Sequence, residues 1–312
     1  MTDSAAKRVL FIIGPTASGK SRLALCIARL IPSEIVSADS RQVYKAMDIG
    51  TAKPSREDMT AVRHHMVDIL TPDVSFSAGE YSRLARRAVD GILERRRLPI
   101  VVGGSGLYIR ALADGMFEGL YTDEAVRAGL KNRVRIEGLA SLYRQLEDVD
   151  PAAAQKIHPN DQKRILRALE VFILSGEPIS KIQRLHTEPS DFESRFYGLD
   201  WPRPQLTRRI HDRVDAMVRS GLVTEAETLK GMGYGMEHNA LDSVGYKEAF
   251  QYLEGNLTLE DMVRLIQRNT RRFAKRQMTW FRGDARVRFL PVSEPVNWDG
   301  LAERVLSDFL KS

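Results

Sequence analysis

Cysteine is almost absent from this chain. Cys26 is the one thiol among 312 residues, so no disulfide can form within the chain, and its setting among Leu23, Leu25 and Ile27 suits a small buried hydrophobe better than a nucleophile. No Cys-x-x-Cys or His-x-x-x-His pair occurs, which leaves zinc without a ligand set. His64 and His65 are adjacent and point to different faces of any helix or strand, so they are expected to be structural. No run of about 18 apolar residues exists to cross a bilayer, and Met1 to Arg8 is short and polar, lacking the apolar segment of a signal peptide. The expectation is a cytoplasmic protein with no membrane partner. Internal repeats and low-complexity tracts are also missing.

What is present begins with an ordinary apolar content of 43%, enough for a sizeable core. The length allows one large domain with an insertion or two domains. The segment Gly14-Pro15-Thr16-Ala17-Ser18-Gly19-Lys20-Ser21 is a complete GxxxxGK[ST] phosphate-binding loop. It follows the apolar run Val9 to Ile13 and precedes the helical stretch Arg22 to Leu30, which is the context that gives the motif its meaning. A strand that ends in a glycine-permissive turn leaves successive backbone N–H groups free to hold phosphate oxygens at a helix N-terminus. Lys20 is expected to reach the terminal phosphate. Ser21 is expected to place its hydroxyl on Mg²⁺, a hard cation that takes oxygen ligands from protein and phosphates together.

The loop does not name the reaction, because many chemistries share it. An ATPase usually adds an apolar strand that ends in a magnesium-binding Asp. Here the run Leu98 to Val102 ends in Gly103-Gly104-Ser105-Gly106, whereas Glu34 to Ala38 ends in Asp39. Both ends belong at the carboxyl edge of a parallel sheet, where ligands bind, so Asp39 and Ser105 are expected to face the phosphate site from neighbouring strands.

Strand and helix patterns alternate through the first hundred residues: strands at Val9 to Ile13, Ile35 to Ala38 and Ile100 to Val102, helices at Lys20 to Leu30 and Ala78 to Arg97. Alternation of this kind predicts an α/β fold, a P-loop NTPase-like parallel sheet flanked by helices. Candidate helices Glu124 to Glu137, Leu139 to Glu147, Pro151 to Ile157 and Gln162 to Ser175 then follow with no strand between them, which predicts an all-helical insertion domain. The run Phe196 to Asp200 returns to the sheet, and Gln205 to Lys230, Gly245 to Tyr252 and Leu259 to Phe281 are helical by periodicity. The expected division is a core of residues 1–118 and 195–312 with an insertion at 119–194. A monomer is expected.

The net charge of +6 is modest, but it is unevenly spread. Nine Lys or Arg and one acid, Asp284, lie between Arg264 and Arg288, with Phe273, Trp280 and Phe281 among them. A basic helix can be a solvated face; the aromatic interleaving favours a polyanion such as nucleic acid.

Several segments, in this order and spacing, resemble one family. They are the phosphate loop, Asp39-Ser40-Arg41-Gln42-Val43-Tyr44, Asp48 to Pro54, His64 to Ile69, Phe76 to Gly79, Gly103 to Tyr108, Asp161 to Glu170, Val244 to Lys247, and Ala274 to Arg282. Nearly end to end, the chain resembles the tRNA dimethylallyltransferases, also called tRNA isopentenyltransferases, of the bacterial type. The resemblance implies transfer of the five-carbon group of dimethylallyl diphosphate to N6 of adenosine 37, beside the anticodon of tRNA, with release of pyrophosphate and no use of ATP. It implies that Asp39 is the base that takes the N6 proton; a magnesium ligand or a helix cap is the other role open to that carboxylate. Ser105 and Ser21 stand where many members carry Thr, and each keeps the hydroxyl. The flipped adenosine and its neighbours would meet Asp39, Ser40, Arg41 and Gln42 together with Asp242, Ser243, Val244, Gly245, Tyr246 and Lys247. The backbone of the anticodon stem-loop would meet Lys163, Arg164, Ile165, Leu166 and Arg167 of the insertion, and Arg272 and Lys275 of the basic tail. Arg209 and Arg213 share a helical face and are open to the diphosphate, to tRNA or to solvent. A P-loop nucleoside or metabolite kinase and a non-catalytic tRNA-binding protein share some of these features; the basic tail weighs against the kinase.

Overall fold

Continuous apolar runs bounded by turn residues make strands that are buried on both faces, as parallel sheets require. The computed structural model describes residues 7–116, 121–186 and 189–311. The chain runs β1 (Arg8–Ile13), α1 (Lys20–Leu30), β2 (Ser33–Ala38), α2 (Arg56–Ala61), β3 (His64–His65), α3 (Ala78–Glu94), β4 (Leu98–Gly103) and α4 (Gly106–Asp114). Five helices follow: α5 (Glu124–Glu137), α6 (Leu139–Val149), α7 (Pro151–Ala154), α8 (Gln162–Ser175) and α9 (Ile179–His186). The remainder is β5 (Glu193–Asp200), α10 (Arg203–Arg219), α11 (Leu222–Gly231), α12 (Tyr246–Leu253), α13 (Leu259–Arg282), β6 (Val287–Pro291) and α14 (Trp298–Lys311).

Two compact units result, one of residues 1–113 and 190–312 and the other of residues 114–189. In the first, the described strands form one parallel sheet in the order β3-β2-β4-β1-β5-β6. One face packs Leu10, Ile12, Ile100 and Leu199 against Leu23 and Ile27 of α1 and Ala302 and Val305 of α14. A second cluster of this unit joins Val43, Tyr44 and Met47 to Leu222, Leu229, Tyr246, Met262 and Ile266. The second unit is helical and closes over Leu130, Leu142, Leu146, Ile165 and Leu169. The boundary expected between residues 118 and 119 lies outside the described residues. Among the described residues no helix is long and apolar enough to cross a membrane.

Local chemistry sets the helix starts. Ser77 and Glu80 form a reciprocal cap at the head of α3, with Glu80 N–H donating to Ser77 Oγ at 3.1 Å and Ser77 N–H to Glu80 Oε2 at 2.8 Å. Asp161 likewise receives the Arg164 N–H at 3.1 Å to start α8. Two expected helices need correction. The helix expected over Gln205 to Lys230 is two, broken at Ser220-Gly221, where Gly221 has φ of 100°, a conformation that glycine adopts without a Cβ clash. The helix expected from Pro151 to Ile157 ends at Ala154. The five-residue strand β6 and the helix α14 were not anticipated.

Away from the carboxyl edge, Glu34 on β2 is 2% exposed and ties three elements together. Its carboxylate accepts from Arg95 Nε at 2.9 Å, from Arg95 Nη2 at 2.8 Å, and pairs with His65 Nε2 at 2.7 Å. The Arg95 hydrogen bonds, with help from His65, outweigh burial and hold the carboxyl at about 2 instead of 4.5. A carboxyl depressed on folding stabilises the native state above its unfolded pKa, and that stabilisation drains away as pH falls through the window to the folded value. Glu34→Gln should therefore lower the melting temperature near neutrality and flatten the acid limb between about pH 4.5 and 2. Identical acid limbs for the two proteins in pH-dependent thermal melts would rule this linkage out.

Candidate active site

Three chain segments leave the carboxyl edges of adjacent strands and meet: the loop from Gly14 after β1, Asp39 after β2, and Gly104 after β4. The approach of β2 and β4 is close enough that a Cβ on Gly103 would lie 2.1 Å from the Ala38 carbonyl oxygen. That same oxygen accepts the Ser105 N–H at 3.1 Å, so the Ser105 loop is hooked to the strand that delivers Asp39. The pocket between them is lined by Thr16, Lys20, Ser21, Asp39, Gln42 and Arg213, with Phe273 and Gln277 of α13 on its wall.

The phosphate loop is gripped by groups outside its own sequence. Gly14 has φ of 145°, Gly19 of 91° and Ala17 of 62°, and a Cβ on Gly19 would come within 2.2 Å of the Trp298 ring. Trp201 Nε1 donates to the Ser18 carbonyl at 2.9 Å and Arg209 Nε to the Ala17 carbonyl at 3.0 Å. The Arg209 guanidinium also lies over the Trp201 ring, 4.4 Å from its centre, an arrangement favoured by the ring quadrupole. Thr16 N–H donates to Gln277 Oε1 at 2.8 Å, and Gln277 Nε2 donates to the Gly104 carbonyl at 2.9 Å. With the Pro15 carbonyl taken by Lys20 Nζ at 2.6 Å, the loop carbonyls of Pro15, Ala17 and Ser18 are all satisfied. Arg209 and Arg213, paired by sequence, thus part company: Arg213 lines the pocket and Arg209 braces the loop.

Asp39 Oδ1 accepts the Arg41 N–H at 2.9 Å, a turn that aspartate makes with the backbone two residues on. Arg41 in turn donates to the carbonyls of Asn239 and Asp242. Two segments far apart in sequence, Asp39 to Gln42 and Asp242 to Lys247, are thereby joined. Gln42 is fixed at both ends, accepting from Ser37 Oγ at 2.9 Å and donating to the Thr51 and Ala52 carbonyls at 3.3 and 3.2 Å. Behind it, Glu225 accepts the N–H groups of Asp48, Ile49 and Gly50 at 2.9, 2.8 and 3.0 Å. Sequence reasoning missed Glu225, Trp201 and Gln277, since each acts on a loop distant in the chain.

Some expected contacts are too buried to reach a polynucleotide. Tyr246 is 0% exposed and gives its hydroxyl to Glu225, and Gly245 is buried beside it; of that segment, Asp242 and Lys247 are exposed and Ser243 and Val244 half-buried. Ile165 and Leu166 belong to the apolar core of the helical unit. Arg167 there donates to the Tyr121 carbonyl at 2.7 Å and to Glu170 at 2.9 Å. Burial alone would raise the Glu170 carboxyl, but Arg167, the Asp123 N–H and Arg127 hold it below its ordinary range. Arg167 is therefore a brace, and Lys163 and Arg164 are the exposed cations of this helix. On α13, Arg268, Arg272, Lys275 and Arg276 are exposed along one face while Ala274, Gln277 and Phe281 are buried.

A family model described as IPP transferase matches residues 42–284. The chain is 46% identical over 286 residues to the tRNA dimethylallyltransferase of Desulforudis audaxviator, covering 92% of each chain. It is 44% identical over 303 residues to that of Geobacter sulfurreducens, covering 97% of each. Among solved structures, it is similar to the full-length tRNA isopentenylpyrophosphate transferase of Bacillus halodurans, with a TM-score of 0.71 and 38% identity over 98% of this chain and 97% of that one. It is also similar to a eukaryotic dimethylallyltransferase acting on tRNA, with a TM-score of 0.80 and 26% identity over 98% of this chain and 80% of that one.

Electrostatically the pocket is poised for an anion. Burial, and then the neighbouring Arg213 guanidinium, bring the Lys20 ammonium down to about 7 against the pull of Asp39. Burial works in the same direction on Arg213, opposed by Asp39. An arriving polyphosphate would restore the Lys20 proton, so the complex holds more protons than the free partners at pH values above about 7. Affinity for inorganic pyrophosphate should therefore be greatest below that value and fall as pH rises through it. Calorimetry at about pH 8 in two buffers of different ionisation heat should register net proton uptake, and Lys20→Ala should abolish it. Uptake unchanged in the variant would remove Lys20 from the linkage.

Proposed function

We propose a function that proceeds from one fact: this chain belongs to the tRNA dimethylallyltransferase (IPP transferase) family. It is a prenyltransferase that acts on tRNA, and the donor is dimethylallyl diphosphate. In our finer reading the acceptor is N6 of adenosine 37 in the anticodon stem-loop, and the protein works as a cytoplasmic monomer. The observation that carries this reading is the convergence of the phosphate loop, Asp39 and the Ser105 loop on one pocket edge.

The reaction breaks the allylic C–O bond and forms an N6–C bond. As the C–O bond stretches, positive charge spreads over the double bond and negative charge collects on the diphosphate. Loop N–H groups, Lys20 and Arg213 oppose that growing charge, and fixed donors of this kind act most strongly where charge develops. Asp39 takes the N6 proton, which frees the amine lone pair that the adenine ring otherwise draws in. Ser105 offers a hydroxyl to the diphosphate or to N6. The target base must leave its stack to enter the pocket.

Ser21 is exposed on the pocket wall near Asp39 and Lys20, and among the described residues no cluster of three or more His, Cys, Asp or Glu is placed to hold a metal. A single hydroxyl beside a phosphate loop suits Mg²⁺, which keeps its waters and binds through one or two protein oxygens and the phosphates. Held by Ser21, it would supply further neutralisation of the leaving group.

Incubation of tRNA with the protein, Mg²⁺ and dimethylallyl diphosphate, with ATP omitted, should yield dimethylallyl-adenosine in nucleoside mass spectrometry. Phosphate transfer from ATP in its place would favour a kinase. Asp39→Ala should lower kcat by about 10²- to 10⁴-fold and leave pyrophosphate affinity nearly unchanged, because a transition-state interaction is lost; normal turnover at saturating tRNA would exclude the base.

For the tail helix we infer contact between Arg272, Lys275 and the phosphate backbone. The pair Arg272→Gln and Lys275→Gln should weaken tRNA binding and flatten the plot of log affinity against log salt by roughly 0.7 to 0.9 per lost contact. An unaltered slope would leave the backbone to Lys163 and Arg164.

A further inference from the structure

We propose that Gln277 is a positioning residue for prenyl transfer, its side-chain amide pinning the phosphate loop to the Ser105 loop. The inference rests on the reading of the site given above and adds a residue to it.

Gln277 is 7% exposed and sits in α13. Its oxygen receives the Thr16 N–H at 2.8 Å, and its nitrogen donates to the Gly104 carbonyl at 2.9 Å. Thr16 belongs to the turn after β1 and Gly104 to the turn after β4, so one side chain spans the mouths of two adjacent strands. Room for it depends on glycine, since a Cβ at Gly104 would lie 2.2 Å from Gln277 Nε2. One helical turn away the same helix packs Trp280 over Gly106, where a Cβ would lie 2.3 Å from the indole, so α13 covers both ends of the Gly104 to Gly106 segment. Both partners of the amide are backbone groups whose roles cannot be exchanged. Turning the amide over would set oxygen against oxygen and N–H against N–H, which fixes its polarity.

The consequence is geometric. Loop N–H groups help most if they are already aimed where charge gathers on the departing diphosphate, and misplacement by about 1 Å in such a site costs about 10²-fold. Gln277 sets the distance between that cradle and the loop bearing Ser105. A residue that merely filled the space would be replaceable by any side chain of equal volume.

Two substitutions separate the alternatives. Gln277→Met keeps length and volume and loses both hydrogen bonds. Gln277→Glu, when protonated, restores the whole pattern, its carbonyl accepting from Thr16 and its O–H donating to Gly104; when ionised, it turns a charged oxygen on the Gly104 carbonyl. The methionine variant should lose about 10²-fold in kcat at every pH, with weaker pyrophosphate affinity and an unchanged KM for tRNA. The activity of the glutamate variant relative to the unsubstituted protein should climb as pH is lowered. A methionine variant with full kcat and full pyrophosphate affinity would overturn the proposal, even beside a pH-dependent glutamate variant, because charge alone would then explain the latter. A glutamate ratio that stays low at every pH, including those where its carboxyl is protonated and both hydrogen bonds are restored, would overturn it also, and this arm keeps the proposal falsifiable if the methionine variant does not fold. Pyrophosphate binding needs no tRNA, so it tests the bridge directly, whereas failure of the unsubstituted protein to prenylate tRNA would count against the function and leave the binding arm to judge Gln277.

Discussion

The parallel pairing of β2, β4 and β1 is the constraint on which the site depends. Parallel strands deliver their carboxyl ends to one edge, and the connections that follow must meet there. Close pairing at Ala38 and Gly103 sharpens this: the carbonyl of Ala38 accepts from Ser105, leaving no room for a side chain on Gly103. Asp39 is the next residue after that carbonyl. The acid, the Gly103-Gly104 turn and the phosphate loop are thus brought together by backbone geometry before any side chain chooses a rotamer.

Around this edge, charge is arranged for a visitor. Lys20 and Arg213 crowd each other in a partly dry pocket, and Asp39 only partly offsets them. Strain of this kind is relieved by an anion, which explains why a loop shared by many chemistries can serve a leaving group as well as a nucleotide. The opposite condition holds at Glu34, where an acid is fully matched by Arg95 and His65. The Glu34 cluster holds β2 to β3 and to the residue that ends α3, whereas Lys20 and Arg213 leave positive charge facing the pocket.

The supports of the loop come from the second half of the chain. Trp201, Arg209, Gln277 and Trp298 all meet residues between Thr16 and Gly19, and Glu225 steadies the Asp48 to Gly50 turn near Gln42. A helix that presents cations to solvent on one face and an amide to the phosphate loop on the other joins the basic surface to the loop through a single element. Preorganisation of this sort is obtained from packing far from the reacting atoms.

Much was legible in the sequence where the signal is local. The phosphate loop, the apolar strands and the helices Lys20 to Leu30, Glu124 to Glu137 and Gln162 to Ser175 follow from spacing and turn chemistry, because those interactions join residues a few positions apart. The break at Gly221 was missed, since the apolar period continues across it. Burial divided residues that sequence had grouped: Tyr246 and Ile165 became core beside exposed Lys247 and Lys163, and Arg209 and Arg213 took separate duties. By itself the sequence determined which chemistry the chain can hold, a phosphate loop, an acid at a strand end and a basic tail. Only the tertiary structure decided which residues stand around that chemistry, because contacts such as Thr16 to Gln277 join positions hundreds of residues apart and leave no period in the chain.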